Sequence, residues 1–259
     1  MIPTISWMTV NPDNLAEQVC RPTTYFKELA DVEVLPNDVE DLDIFGEKAA
    51  IFGGSGLFYP DTAEVLRKAL NRKNHPMVLW GVGANDHLEH LVKWPQWTKE
   101  FDLIGLRDFG NPWDYVPCPS CMSPLFDEAR DTAPVHDVVV YEHPLCQIKE
   151  IKGRAKMNNK HPAEKYREVL MFLASGKTVV TSSYHGVYWA MLLARKVLCW
   201  KPFSSKFYSL EPLHYRVNEQ NWYKVHSTMR APAQVYDYLE RCRQHNVLFA
   251  QKVFKLLKM

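Results

Sequence analysis

No apolar run in this 259-residue chain is long enough to cross a bilayer. The opening Met-Ile-Pro-Thr-Ile-Ser-Trp has no basic stretch leading into an apolar core and a small-residue cleavage site, so it does not read as a secretion signal. A cytoplasmic protein is expected, with peripheral contact as the only way to meet a membrane. An excess of one charge is also missing: 31 Lys and Arg face 30 Asp and Glu, a formal net charge of +1. That leaves no basic field for holding polynucleotides, and no nucleic-acid partner is expected. Obvious internal repeats and low-complexity tracts are absent, which excludes solenoids and extended disordered linkers. Cysteine is too sparse for a small disulfide-stapled scaffold: six residues are scattered over the chain, and Cys199 and Cys242 sit inside apolar elements. Reduced thiols are the default reading.

What is present is an ordinary globular composition, 46% apolar and 24% charged, able to bury a core. Short apolar runs alternate with helical periodicity. Residues 4–9, 48–52, 76–80 and 103–106 read as strands, and residues 61–70 between the second and third read as a helix. A strand, a helix and a strand in succession form a βαβ unit, which implies parallel pairing. Residues 127–136 are polar, contain Pro134 and read as a connecting loop. A second series follows, with a strand at 137–141, a helix at 162–173 opened by Pro162 and ended by Gly176, and strands at 178–181 and 196–200. Apolar residues at helical spacing over 233–257 predict a long closing helix that could lie across both halves. The fold class expected is therefore α/β, with two Rossmann-like lobes of parallel sheet, residues 1–130 and 131–259, facing a cleft. One continuous sheet is the alternative.

The most informative stretch runs from Thr178 to Leu193. It reads as a buried strand, a tight turn at His185-Gly186 and a new helix, an arrangement that aims backbone N–H groups at an anion. His185, at the carboxyl end of a strand, is placed to meet a phosphate or a reacting oxygen; the plainer reading is a helix-capping histidine. Lys206 follows the next strand and can reach the same anion, with Ser204 and Ser205 as further donors. Tyr184 and Trp189 offer aromatic faces, although the spacing of Trp189 from Leu192 and Leu193 marks it as core.

Gly53-Gly54-Ser55-Gly56 after the second strand and Gly81-Val82-Gly83-Ala84-Asn85 after the third would form adjacent loops, a floor for a sugar or a phosphate. Neither carries a dinucleotide or P-loop signature, so an ordinary structural turn is the competing reading. Arg107 ends the fourth strand, facing the cleft or pairing with Asp108. Cys118-Pro-Ser-Cys121 and His143-Pro-Leu-Cys146 together have the paired spacing of a Cys₃His zinc site, against buried or loop thiols as the alternative.

Phe52-Gly53-Gly54-Ser55-Gly56-Leu57, Gly81-Val82-Gly83, Leu106-Arg107-Asp108, Val116-Pro117 followed by Pro119, Ser182-Ser183-Tyr184-His185-Gly186 and Ser205-Lys206-Phe207 occur in an order that resembles the polysaccharide pyruvyl transferase family, over roughly residues 45–207. The resemblance implies a two-lobed fold similar to GT-B glycosyltransferases. It also implies transfer of a pyruvyl group from phosphoenolpyruvate, an anionic small-molecule donor, to hydroxyls of a sugar or glycan acceptor in exopolysaccharide biosynthesis, without a metal or other cofactor. On that reading His185 is the general acid/base. Ser183, Tyr184, Gly186, Lys206 and Arg107 hold the donor, while Gly53, Gly54, Ser55, Gly81, Gly83 and Asn85 receive the acceptor. The chain departs from the family pattern in having Ser183 where an arginine is usual and Cys118 where an acid is usual, and in being short. A sugar-nucleotide glycosyltransferase and a non-catalytic sugar- or phosphate-binding relative are the alternatives.

Overall fold

The computed structural model describes residues 2–8, 15–36, 43–54, 56–87 and 92–259. The first sheet contains β1 (Thr4–Met8), β2 (Glu33–Pro36), β3 (Ala49–Gly53), β4 (Met77–Val82), β5 (Leu103–Leu106) and β6 (Asp114–Tyr115). The second contains β7 (His136–Glu142), β8 (Ala155–Asn158), β9 (Gly176–Thr181), β10 (Lys196–Trp200) and β11 (Tyr215–Val217). Eight α-helices accompany them among the described residues: α1 (Leu15–Val19), α2 (Ile44–Glu47), α3 (Pro60–Leu70), α4 (Leu125–Arg130), α5 (Tyr166–Ala174), α6 (Tyr184–Leu192), α7 (Trp222–Thr228) and α8 (Tyr238–Leu257). Every strand pair is parallel. The central strands β3 and β4 are buried along their whole length, because parallel strands covered on both faces must be continuously apolar. The α/β reading with two parallel sheets is correct, and the single-sheet alternative is not.

Both sheets are wound alike. The first has the order β2-β1-β3-β4-β5-β6 and the second β8-β7-β9-β10-β11. In each lobe the chain lays its second strand on one side of the first and then reverses to the other. That reversal leaves a crevice at the carboxyl ends of the first and third strands of the lobe, where open α/β sheets take their ligands.

The elements outside the sequence reading are mostly short and marginal: β2, β6, β8 and β11 have two to four residues each. Thr9, expected in the first strand, lies outside the described residues. Three local readings are corrected. Residues 127–136 are not all loop: α4 runs to Arg130 because Phe126 and Ala129, three positions apart, share a buried face. Gly176 does not end a helix but begins β9, where a side chain would meet Val139. His185-Gly186 is no turn either. Ser183 caps α6, with its Oγ accepting from the Gly186 amide at 3.4 Å, so both residues lie in the first helical turn.

The closing helix α8 joins the two cores. Its first turns, with Tyr238, Leu239 and Cys242, pack among the residues of the second lobe. Its last turns, with Phe249, Ala250, Val253 and Leu257, pack on Ala49, Ile51, Val78 and Trp80 of the first sheet. Asn246 stands between them, fully buried. It accepts from Trp80 Nε1 at 3.0 Å and donates to the carbonyls of Pro117 and Cys242 at 3.0 and 3.1 Å. Backbone ties reinforce the junction: Ser205 N donates to Asp86 O at 2.7 Å and Phe109 N to Ser209 O at 2.7 Å.

Candidate functional site

Both crevices open on one cavity of about 120 Å³. Its lining comes strand by strand from carboxyl ends. Ala16 and Glu17 lie on α1 after β1, Gly54 and Gly56 after β3, Asn85 after β4 and Arg107 after β5. From the second lobe come His143 after β7, Asn159 after β8, Ser183, Tyr184 and His185 after β9, and Lys206 after β10.

Arg107 is the central cation. It is only 4% exposed, its Nε has no hydrogen-bond partner, and its guanidinium lies 4.2 Å over the Tyr184 ring. Gly83 makes room for it, since a side chain there would run into the guanidinium. The expected pairing with Asp108 is not made. The Asp108 carboxylate accepts instead from Ala84 N at 3.1 Å and from the Ser209 hydroxyl, and burial raises its pKa to about 6. Burial opposes the charge of Arg107, but Tyr184, Asp108 and the thiols of Cys118 and Cys20 outweigh it and raise its pKa. A buried permanent charge whose Nε makes no hydrogen bond has a donor left over for an anion.

Lys206 is the second cation. Its ammonium lies 5.5 and 5.7 Å from the Phe203 and Phe207 ring centres. Burial and the nearby Arg107 lower its pKa to about 8, so it stays protonated at neutral pH. His143 is held below the ordinary imidazole value by burial, Lys206 and His87. Glu17 is the one carboxylate among the described residues of the lining, which also carries Arg107 and Lys206.

His185 is partly exposed, on the first turn of α6, with its ring 5.1 Å from those of Tyr184 and Trp189. Its Nε2 lies 3.1 Å from Cys20 Sγ and 3.6 Å from Cys118 Sγ, and the two sulfurs are 2.9 Å apart. Burial lowers the imidazole pKa despite the opposing effect of Cys118, leaving the ring neutral at pH 7. Of the two thiols, Cys118 is the more acidic. Burial works against its thiolate, but contacts from Cys20, His185 and Ser120 overcome that, while burial and Cys118 push Cys20 up.

The structure thus brings Arg107, Ser183, Tyr184, His185, Lys206, Gly54 and Asn85 to one cavity. Gly53 and Gly81 do not line it: side chains there would press on Pro22 and Pro119. Gly186 sits behind the site, against Thr181 and Tyr141. Gly83 contributes by seating Arg107, and Ser55 lies outside the described residues. Trp189 is core, donating to Ser120 Oγ at 3.0 Å. The Cys118, Cys121, His143 and Cys146 quartet does not assemble. Pro119–Met122 forms a 3₁₀ turn that carries Cys121 toward α8, where Asn246 donates to its sulfur at 3.4 Å, while His143 and Cys146 pair across a separate loop after β7. Cys118 meets Cys20 and His185 instead. Ala16, Glu17 and Asn159 were not expected at the site, because α1 and β8 are too short to read from periodicity, and His143 lines this cavity and not the zinc site its spacing suggests.

No family model and no curated protein matches the chain. Among solved structures it is similar to an uncharacterised protein from Klebsiella pneumoniae subsp. pneumoniae NTUH-K2044, with a TM-score of 0.51 and 14% sequence identity over 83% of this chain and 92% of the other. That likeness bears on the fold: a mixed α/β chain with two Rossmann-like lobes of parallel sheet. None of the described helices is long and apolar enough to cross a membrane.

Proposed function

We propose that the chain is a transferase that takes a small anionic donor, phosphoenolpyruvate, and passes its pyruvyl group to two hydroxyls of a sugar in a surface polysaccharide or its precursor. The observation that carries this reading is the buried Arg107, whose Nε has no hydrogen-bond partner, beside Lys206 in a chamber lined from both lobes. Two cations suit the phosphate and carboxylate of such a donor, and they supply the charge that Ser183, standing where the family has arginine, does not. The volume, about 120 Å³, also favours a three-carbon acid phosphate over a sugar nucleotide, since pockets for larger ligands start at about 300 Å³.

In the reaction, His185 begins as a neutral base and accepts a proton from an attacking sugar hydroxyl. Nε2 faces the thiols, so Nδ1 is the ring nitrogen left for that hydroxyl. The imidazolium then returns the proton to the donor's methylene carbon, which becomes a methyl group. The first C–O bond forms at the neighbouring carbon, a second hydroxyl closes the ketal as the bond to phosphate breaks, and its proton departs with the phosphate. Arg107 and Lys206 hold the leaving group throughout.

The test is acceptor-dependent phosphate release from phosphoenolpyruvate across a panel of sugars, with the ketal methyl group followed by NMR. Wild-type protein should show both signals, and His185→Ala neither. Nucleotide release from a sugar nucleotide instead would overturn the donor assignment. A second reading, binding without turnover, is favoured by Ser183 and by the thiols that occupy His185 Nε2. Calorimetric binding of phosphoenolpyruvate with no phosphate released under any acceptor would select it.

A further inference from the structure

We propose that Cys20, Cys118 and His185 form a binding site for one thiophilic divalent cation, with Zn²⁺ as the natural occupant, directly behind the anion cavity. The three residues come from distant parts of the chain: Cys20 just past α1, Cys118 in the loop after β6, and His185 on α6. Their donor atoms lie 2.9, 3.1 and 3.6 Å apart. A zinc ion needs about 2.3 Å to sulfur and about 2.0 Å to imidazole nitrogen. One ion can reach all three corners once the sulfurs spread to about 3.8 Å, the separation that 2.3 Å bonds in a tetrahedral site require. The 2.9 Å approach of the two sulfurs is that of a thiol hydrogen bond sharing one proton, and an ion would take that proton's place.

The scaffold holds the donors in place. The Cys20 carbonyl is packed against Gly54, whose φ of +78° and lack of a side chain permit the contact. Tyr188 Oη donates to the Cys118 carbonyl at 3.0 Å, and Ser120 Oγ lies 3.3 Å from the Cys118 sulfur as an outer partner for a thiolate. Cys20 and Cys118 are 0% and 1% exposed and lie behind His185, which is partly exposed and lines the cavity. Two thiolates, one imidazole and an open position make the donor set of a soft-metal site that can still receive an oxygen ligand.

This inference does not rest on the transferase reading, and it sets a limit on it. A metal on Nε2 leaves the proton on Nδ1, so a loaded His185 donates toward the cavity and is no longer a base. Zinc would then inhibit the proposed transfer, and a chelator would restore it.

The experiment uses the full-length protein, reduced and treated with chelator, titrated with Zn²⁺ against a chromophoric chelator and with Co²⁺ by absorption spectroscopy, without any donor or sugar. One equivalent per chain is expected, and Co²⁺ should give a thiolate-to-metal charge-transfer band together with intense visible bands of four-coordination. Cys118→Ser, Cys20→Ser and His185→Ala should each weaken binding by about a hundredfold or more. Circular dichroism identifies any variant that fails to fold, and His185→Ala, the most exposed of the three sites, keeps the test decisive if both cysteine variants do. Absence of the charge-transfer band in wild-type protein, or affinity unchanged in the folded variants, overturns the proposal. So does a Cys20–Cys118 disulfide in the protein as isolated, when reduction yields no metal binding.

Discussion

Arg107 and Lys206 are unlike the other cations of the molecule, which lie mostly on the surface in pairs such as Arg67 with Glu64 and Lys48 with Glu33. Exposed pairs of that kind contribute little. A buried guanidinium that makes no direct ion pair still carries a desolvation cost, which a bound anion offsets further. Arg107→Met is therefore expected to weaken phosphate binding by about 10- to 100-fold, the value of one charge-assisted hydrogen bond, while the thermal midpoint holds or rises. Isothermal calorimetry with inorganic phosphate and a melting curve check the two halves; a fall in both would make Arg107 structural. Lys206 adds a pH signature. Sulfate, whose own charge is constant over this range, should bind more weakly at pH 9 than at pH 7, because Lys206 loses its proton near pH 8. In Lys206→Gln that decline should be absent. The stability effect has the opposite sense: the folded chain releases this proton near pH 8 and the unfolded chain only near 10.4, so the penalty for burying the charge is complete at pH 7 and fades above pH 8. Lys206→Met should accordingly stabilise the protein at pH 7 and by much less at pH 10. Arg107, His185 and Lys206 were legible as site residues because each directly follows a strong apolar strand. Cys20 was not, since the contact with His185 spans 165 positions and no local pattern encodes it.

At the scale of elements, the segment around His185 shows how a local rule was misapplied. A glycine beside a histidine after a strand suggests a tight turn. Here Ser183 starts the helix two residues earlier, and Gly186 is needed for packing, not for backbone freedom. A side chain at that position would meet Thr181 and would lie 2.6 Å from Tyr141 Cδ1, so α6 can approach β7 and β9 only with glycine there. Helix propensity alone says that Gly186→Ala stabilises by about 1 kcal/mol. Overpacking of a buried seam costs about 1–3 kcal/mol, so net destabilisation is expected, read as a lower urea midpoint with an unchanged slope. A higher midpoint would mean that α6 can shift outward. The strong strands and longer helices were legible because burial on both faces imposes continuous apolar character. The weak edge strands β2, β6, β8 and β11 were not, because two to four residues at a sheet margin carry too little periodicity to stand out.

For the whole molecule, Asn246 is the most consequential polar residue outside the cavity, joining Trp80 of one sheet, the Pro117 loop and α8 in a single buried group. Asn246→Leu leaves the Trp80 N–H and the Pro117 carbonyl without partners, at a cost of about 2–4 kcal/mol. Denaturant unfolding measures that loss. Because α8 belongs to both cores, calorimetry of the wild-type chain should show one transition for the two lobes; two resolved peaks would show that the helix does not couple them. The long helix itself was legible from its repeat of apolar positions, but its buried Asn246 was not, since an asparagine within a helical stripe carries no sign of what it will bond.

The shared winding of the two sheets has a geometric consequence for recognition. Gly54 and Ser183 follow the third strand of their respective lobes, and Asn85 and Lys206 the fourth, so a guest molecule is gripped from opposing sides by counterpart positions, as an object is held between two palms. Neither palm closes the grip alone. Affinity is therefore a property of how the halves are set against each other, and a change far away on α8 that tilts them by an ångström would be felt as a loosened hold on the guest well before either half came apart.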